Sequence, residues 1–155
     1  MKTLLFTPLL ILSLVSSVSA QPHPELIQRI NSQVIPVRSL ELNQPEPAFD
    51  QIAAHLDSVQ VVGLGEGTHG THEFFAFKSR MIVYAIEELG FRILAFEAPF
   101  DLKKANAYIQ GEDMEVGDAV VSMGYFIWNT QEVTALFKWM RAYNLSRDPS
   151  DRIQV

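Results

Sequence analysis

Val59-Gln60-Val61-Val62-Gly63-Leu64, running directly into Gly65-Glu66-Gly67-Thr68-His69-Gly70, is the stretch on which the reading of this chain turns. The first six residues are nearly all apolar and include three β-branched side chains, a pattern that suits a strand covered on both faces of a parallel sheet. The six that follow read as the loop that leaves the strand. Thr71 or a neighbour then opens a helix that runs to Leu89 and stops at Gly90, a favourable residue just past a helix end. Phe75, Ile82, Ile86 and Leu89 make one apolar stripe on that helix, and Phe74, Phe77, Met81 and Ala85 make a second beside it. Arg92 to Ala98 reads as a second buried strand, with Glu97 near its end. Strand, helix, strand across residues 59–98 predicts a right-handed βαβ unit. The expected fold class is α/β, a layered parallel or mixed sheet flanked by helices.

Working outward, Phe49, Ile52, Ala53 and Leu56 lie at helical spacing and predict a helix over Ala48 to Leu56. Asp101 to Ile109 reads as a helix capped by Asp101. A less regular stretch with Gly111, Gly117 and Gly124 follows. Thr130 to Tyr143 reads as an amphipathic helix with Val133, Leu136, Phe137 and Met140 on one side. Arg152-Ile153-Gln154-Val155 looks like the start of a strand, so the sheet is expected to be incomplete at the C-terminus. The sequence accordingly reads as part of a longer reading frame.

The other end has its own logic. Lys2, an apolar run from Leu4 to Val15, and the small residues around Val18 and Ala20 form the pattern of a secretory signal cleaved after Ala20. That run is short for a bilayer span, so no stable membrane anchor is expected and the product is placed outside the cell or in the periplasm. Residues 21–47 carry five prolines and read as an arm, with room for a short helix between Pro24 and Gln33. Residues 48–155 are left as the folded domain.

Eighteen acidic residues against twelve basic give a formal net charge of −6, which argues against nucleic acid or an anionic membrane as partner. There is no cysteine, so an oxidising compartment is tolerated without being exploited. With 48% hydrophobic residues, ten of them Phe, the chain can bury a core. Oligomeric state is not readable from these features.

Ligands of open parallel sheets bind beyond the C-terminal ends of the strands. On the expected topology Glu66, His69 and Glu97 converge at one such edge. Neutral imidazole has the right basicity to take a proton from water near neutrality, and a nearby carboxylate orients it and steadies the imidazolium that forms. Lys78, two turns into the helix, suits neutralising the carboxylates or holding a developing oxyanion. No Gly-x-Ser-x-Gly elbow is present, which disfavours a serine nucleophile.

Rival readings exist for the same residues. Gly65-x-Gly67-x-x-Gly70 formally fits a dinucleotide fingerprint, and Glu97 stands where a ribose-binding acid would. Against this, the charge of Glu66 lies between the first two glycines and repels a pyrophosphate. Glu66, His69, His72 and Glu97 are also ligand types for a transition metal, but no metal and no cofactor is expected. Structural roles compete as well. Glu66 and His69 could bond to loop amides, and Glu97 could pair with Lys78 or Arg80. His72 reads as a solvent-facing first-turn residue and Glu73 as a dipole complement. A non-catalytic binding protein is the third class that stays open.

The stretch from Val61 to Gly70, with Glu73-Phe74-Phe75, Phe96-Glu97, Trp128-Asn129-Thr130 and Trp139 to Asn144, resembles the erythromycin esterase family. The resemblance covers roughly residues 59–144. It implies a hydrolase that cleaves an ester or lactone in a small molecule, macrolide antibiotics being the best-known substrates; together with the signal pattern this makes an exported enzyme. It also implies that His69 is the water-activating base, that Glu66 and Glu97 share its site, and that no metal is needed. The position of Lys78 is an Arg in some relatives, a change that keeps charge but loses bidentate geometry. Family members are well over twice this length and bring further histidines from their later half.

Overall fold

A computed structural model describes residues 23–56, 58–98 and 102–155. The expected signal segment and the Asp101 cap lie outside the described residues. The chain divides into two compact units, residues 1–35 and 36–155. In the first, helix α1 (Pro24–Asn31) starts on a proline, whose missing N–H costs nothing at that position, and has no buried residue. It stops where the Ser32 hydroxyl donates to the Arg29 carbonyl at 2.8 Å.

The second unit is built on helices α2 (Ala48–Ala53), α3 (His72–Glu87), α4 (Lys103–Gln110), α5 (Val116–Val121) and α6 (Gln131–Leu145). Short 3-10 turns at Phe126–Trp128 and Pro149–Asp151 flank α6. Helix α6 is the centre. Thr130 caps it, its hydroxyl accepting from the Val133 amide at 3.2 Å, and Val133, Leu136, Phe137 and Met140 on the inner face are all buried. They meet Phe75, Val83 and Ile86 of α3, Tyr108 and Ile109 of α4, and Val120 of α5 in one core.

The two apolar stripes of α3 serve two cores. Phe75 and Ile86 face the α6 core, with Ile82 packed at its edge. Met81 and Tyr84 face Phe49 of α2, with Phe77 and Leu64 beside them. Phe49 and Phe77 meet edge to face at 5.7 Å between ring centres, a geometry that suits the ring quadrupoles. Because one helix sits in both cores, the position of its N-terminus is fixed from two sides.

Two polar clamps hold the periphery. The buried Glu46 carboxylate accepts from the Arg38, Ser39 and Ala48 amides at 2.6, 2.8 and 3.1 Å. Asn144, fully buried, donates to the Ile109 and Ile153 carbonyls at 3.1 and 2.9 Å and accepts from the Ile153 amide at 2.7 Å. Helix α4 ends at Gly111 with φ +109, where an added Cβ would lie 2.9 Å from Leu145 Cδ2. Both the left-handed backbone and the close approach require glycine there.

The expected α/β class is corrected by the structure: among the described residues there is no sheet. The one bridge is a parallel pairing of Ile93 with Gln154, made by Leu94 N–H to Gln154 O at 2.9 Å and Gln154 N–H to Arg92 O at 2.8 Å. Residues 60–70 enter no backbone–backbone hydrogen bond among the described residues. The expected strand at Val59–Leu64 is not formed: the Val59 N–H closes a turn on the Leu56 carbonyl at 3.0 Å, the chain bends at Gln60, and Val61 is 84% exposed. The expected strand at Arg92–Ala98 is covered on one face only. Leu94 and Phe96 pack on the α6 core, while Ile93 and Ala95, which alternate with them, are exposed, Ile93 to 80%. With no pairing between these two segments there is no βαβ unit. A run of β-branched residues favours extended backbone, but a ladder also requires a neighbour's N–H and C=O groups, which local sequence does not specify.

Candidate active site

The loop 65–71 leads into α3, and its Glu66 and His69 side chains meet Lys78 of that helix. His69 Nδ1 lies 2.5 Å from Glu66 Oε1, and Lys78 Nζ donates to Glu66 Oε2. One carboxylate therefore binds an imidazole with one oxygen and an ammonium with the other. The Glu66 side chain is 9% exposed and that of Lys78 is 14% exposed, whereas the imidazole of His69 is 60% exposed. A carboxylate can only accept, so the proton of the His69–Glu66 bond belongs to Nδ1 and the lone pair of the neutral ring is on Nε2.

Charge is settled by these contacts. The Lys78 hydrogen bond holds the Glu66 carboxyl below its ordinary value, with a further contribution from His69 and against the effect of burial. Lys78 is carried on the second turn of α3 and lies over the Phe75 ring at 5.7 Å. Its stem is thus fixed by the same helix that the two cores fix.

Glu66, His69, Lys78 and Glu97 line one cleft of about 640 Å³, together with Phe75, Phe96 and Trp128. Glu97 is placed by its backbone. The Trp128 indole N–H donates to its carbonyl at 2.9 Å, and Trp128 is wedged against Phe75 and Phe96 at 5.8 and 5.2 Å. Glu97 pairs with neither Lys78 nor Arg80: Lys78 is on Glu66, and Arg80 donates to the Gln44 carbonyl at 2.6 and 3.1 Å. On the other side of Gly65 and Lys78 is an apolar hollow of about 400 Å³ bordered by Val37, Leu40, Phe74 and Phe77. Among the described residues no three His, Cys, Asp or Glu side chains group as a metal site.

Sequence reasoning missed two features. Trp128 carries no role in the sequence beyond the resemblance, yet its buried indole N–H requires an acceptor, which the Glu97 carbonyl supplies. His72 is the solvent-facing first-turn residue expected, its side chain 71% exposed, and it has a partner besides: its Nδ1 lies 2.5 Å from Glu132 Oε1. Nothing local gives that pairing away, because an acid in the first turn of a helix is equally explained by the helix dipole.

Replacing Lys78 with Met tests the electrostatics. Because the Glu66 carboxyl is depressed in the folded state, its ionic contribution to stability is present above the ordinary value of 4.5 and is lost as pH falls through the depressed one. Urea midpoints of the wild type and Lys78→Met are expected to diverge above that pH, the variant being less stable, and to converge in acid. Parallel curves would show that the pair contributes nothing specific.

Comparison with known proteins shows what this chain is similar to. The family model described as "Erythromycin esterase" matches residues 86–155, a range that contains Glu97. YbfO of Bacillus subtilis (strain 168), a hydrolase by name, is 37% identical over 94 residues, covering 61% of this chain and 21% of that protein. Erythromycin esterase type II of Escherichia coli is 33% identical over 110 residues, covering 67% of this chain and 25% of its own length. Among solved structures, a succinoglycan biosynthesis protein superposes with a TM-score of 0.73 at 32% identity, covering 84% of this chain and 32% of that one. A Bacillus cereus protein superposes with a TM-score of 0.75 at 23% identity, covering 84% and 31%, and shows likeness of fold alone. The chain thus spans about a quarter or less of the curated relatives it matches. Over the stretch that these matches cover, the chain is similar to the erythromycin esterase family, a partial match.

Proposed function

We propose that this chain carries the water-activating part of a hydrolase that cleaves an ester or lactone bond in a small molecule. The observation that supports it is the Glu66–His69–Lys78 arrangement at the wall of the cleft. Glu66 orients His69 through Nδ1 and steadies the imidazolium. Nε2 of His69 takes a proton from water, and the resulting hydroxide adds to the substrate carbonyl. Lys78 keeps Glu66 ionised and supplies positive charge close to where the oxyanion develops. Glu97, on the same wall, is assigned to holding the attacking water or a substrate hydroxyl. The apolar surfaces of the cleft and of the hollow beyond Gly65 suit a substrate with apolar groups on either side of its ester.

Two finer readings belong with this proposal. A macrocyclic lactone is the substrate suggested by the name of the Escherichia coli relative. Export rests on Lys2, the apolar run after it and Ala20. The test is incubation of the chain with a nitrophenyl ester, an alkyl ester and a macrolide lactone, with products read by mass spectrometry. The expected result is the gain of one water in at least one of them. No product from any of the three overturns the proposal and leaves a binding role.

A further inference from the structure

The apolar hollow beyond Gly65 holds a charge that the chemistry above does not use. Glu73, in the first turn of α3, borders it beside Phe74 and Phe77 of the same helix. Among the described residues the Glu73 carboxylate makes no hydrogen bond and no ion pair. Its neighbour His72 feels its charge, but that ring is held by Glu132 Oε1 at 2.5 Å. The other charged group at the hollow, Lys78, donates to Glu66 and is balanced by it. One negative charge is left uncompensated against an apolar wall.

The walls are set without a ligand. Phe77 is held edge to face by Phe49 at 5.7 Å. Opposite α3, Val37 and Leu40 flank Arg38 and Ser39, whose amides donate to the buried Glu46 carboxylate at 2.6 and 2.8 Å. The Arg38 side chain does not line the hollow. Phe74 is 40% exposed and joins neither core, so packing gives no reason for a large ring there. An acid in a first turn suits the helix dipole, but that role does not call for phenyl rings around it. A carboxylate flanked by phenyl rings attracts a cation whose outer surface is itself apolar, because such an ion is weakly hydrated and gains from the ring quadrupoles. Alkylated ammonium groups have that chemistry.

Gly65 and Lys78 border both this hollow and the cleft that holds His69. A small molecule lying across Gly65 can therefore reach both. We propose that Glu73, with Phe74 and Phe77, recognises an alkylated ammonium group on the substrate, seated in the hollow while the ester lies in the cleft; this deepens the hydrolase reading above and rests on it. Glu73 is then a specificity-determining residue and takes no part in the proton transfers.

The test compares two molecules of one shape. Choline and its neutral carbon isostere, dimethylbutanol, are titrated into the protein and followed by ligand-observed NMR. The wild type is expected to bind choline more tightly, on the order of tenfold. Glu73→Gln is expected to bring the two toward equality, and Phe74→Leu, which keeps the apolar contact, to reduce the preference about threefold. Choline and dimethylbutyl esters of the same acid are expected to show the same ordering in kcat/KM, again lost in Glu73→Gln. Equal binding of the two alcohols by the wild type, or a preference that survives Glu73→Gln, overturns the cation site. A binding preference with no matching preference in kcat/KM overturns its role in substrate recognition. Hydrolysis of neither ester, with the binding preference intact, overturns the hydrolase reading and leaves Glu73 in a binding site for alkylammonium groups.

Discussion

His69→Ala is expected to lower kcat for ester hydrolysis by about 10²–10⁴-fold, the range over which a positioned general base contributes. The fold is expected to survive. The imidazole is 60% exposed and its polar contact is with Glu66, which keeps Lys78 as a partner on its other oxygen. The loss therefore belongs in kcat, with KM little changed, because the ring acts on the attacking water and not on the apolar groups that bind substrate. Circular dichroism and urea midpoints that match the wild type would show that chemistry, not folding, was removed. A fall in kcat of less than tenfold would mean that water is activated by another group.

Asn144→Leu is expected to cost at least about 2 kcal/mol of stability, because each buried group left unsatisfied costs about 1–3 kcal/mol. The substitution keeps the branched outline but adds bulk at a fully buried position, and it strands the Ile109 carbonyl and the Ile153 amide. The Ile153 carbonyl keeps the Gln110 side-chain amide as a donor at 2.8 Å. For a domain whose total stability is on the order of 5–15 kcal/mol, this is a large fraction. The effect reaches the site indirectly. Ile153 belongs to the core and borders the cleft, and Gln154 beside it makes the bridge to Ile93 that steadies the segment leading to Glu97. A urea midpoint unchanged in Asn144→Leu would show that solvent reaches those groups.

What could be read from the chain follows from which interactions are local. Helices α3 and α6 were legible because their apolar residues recur at helical spacing and Thr130 announces a start. Helix α5 was not. Val116, Gly117, Val120 and Val121 are poor helix formers, and the helix exists because Ala119 and Val120 are buried against α4 and α6. The sheet was over-read for the converse reason. Val59–Leu64 has the composition of a buried strand, but strand pairing is decided by partners far along the chain, and in this structure Val61 is open to solvent.

The site divides in the same way. Glu66 and His69 are three residues apart in one loop, so their contact was within reach of a motif. Lys78 was placed by two helical turns. The Trp128 bond to Glu97 and the His72 bond to Glu132 span 31 and 60 positions and left no local trace. His72 read as a surface residue, which it is, and the structure gives it besides the same kind of partner as His69.

The central claim is that Nε2 of His69 is the base that activates water. Chemical rescue tests it most directly: the rate of nitrophenyl-ester hydrolysis by His69→Ala is measured as free imidazole is added, against the same buffer without protein. The variant's residual rate is expected to rise with the concentration of neutral imidazole and to saturate as the vacated space fills. A His69→Ala protein that hydrolyses the ester as fast as the wild type, with or without imidazole, would contradict it.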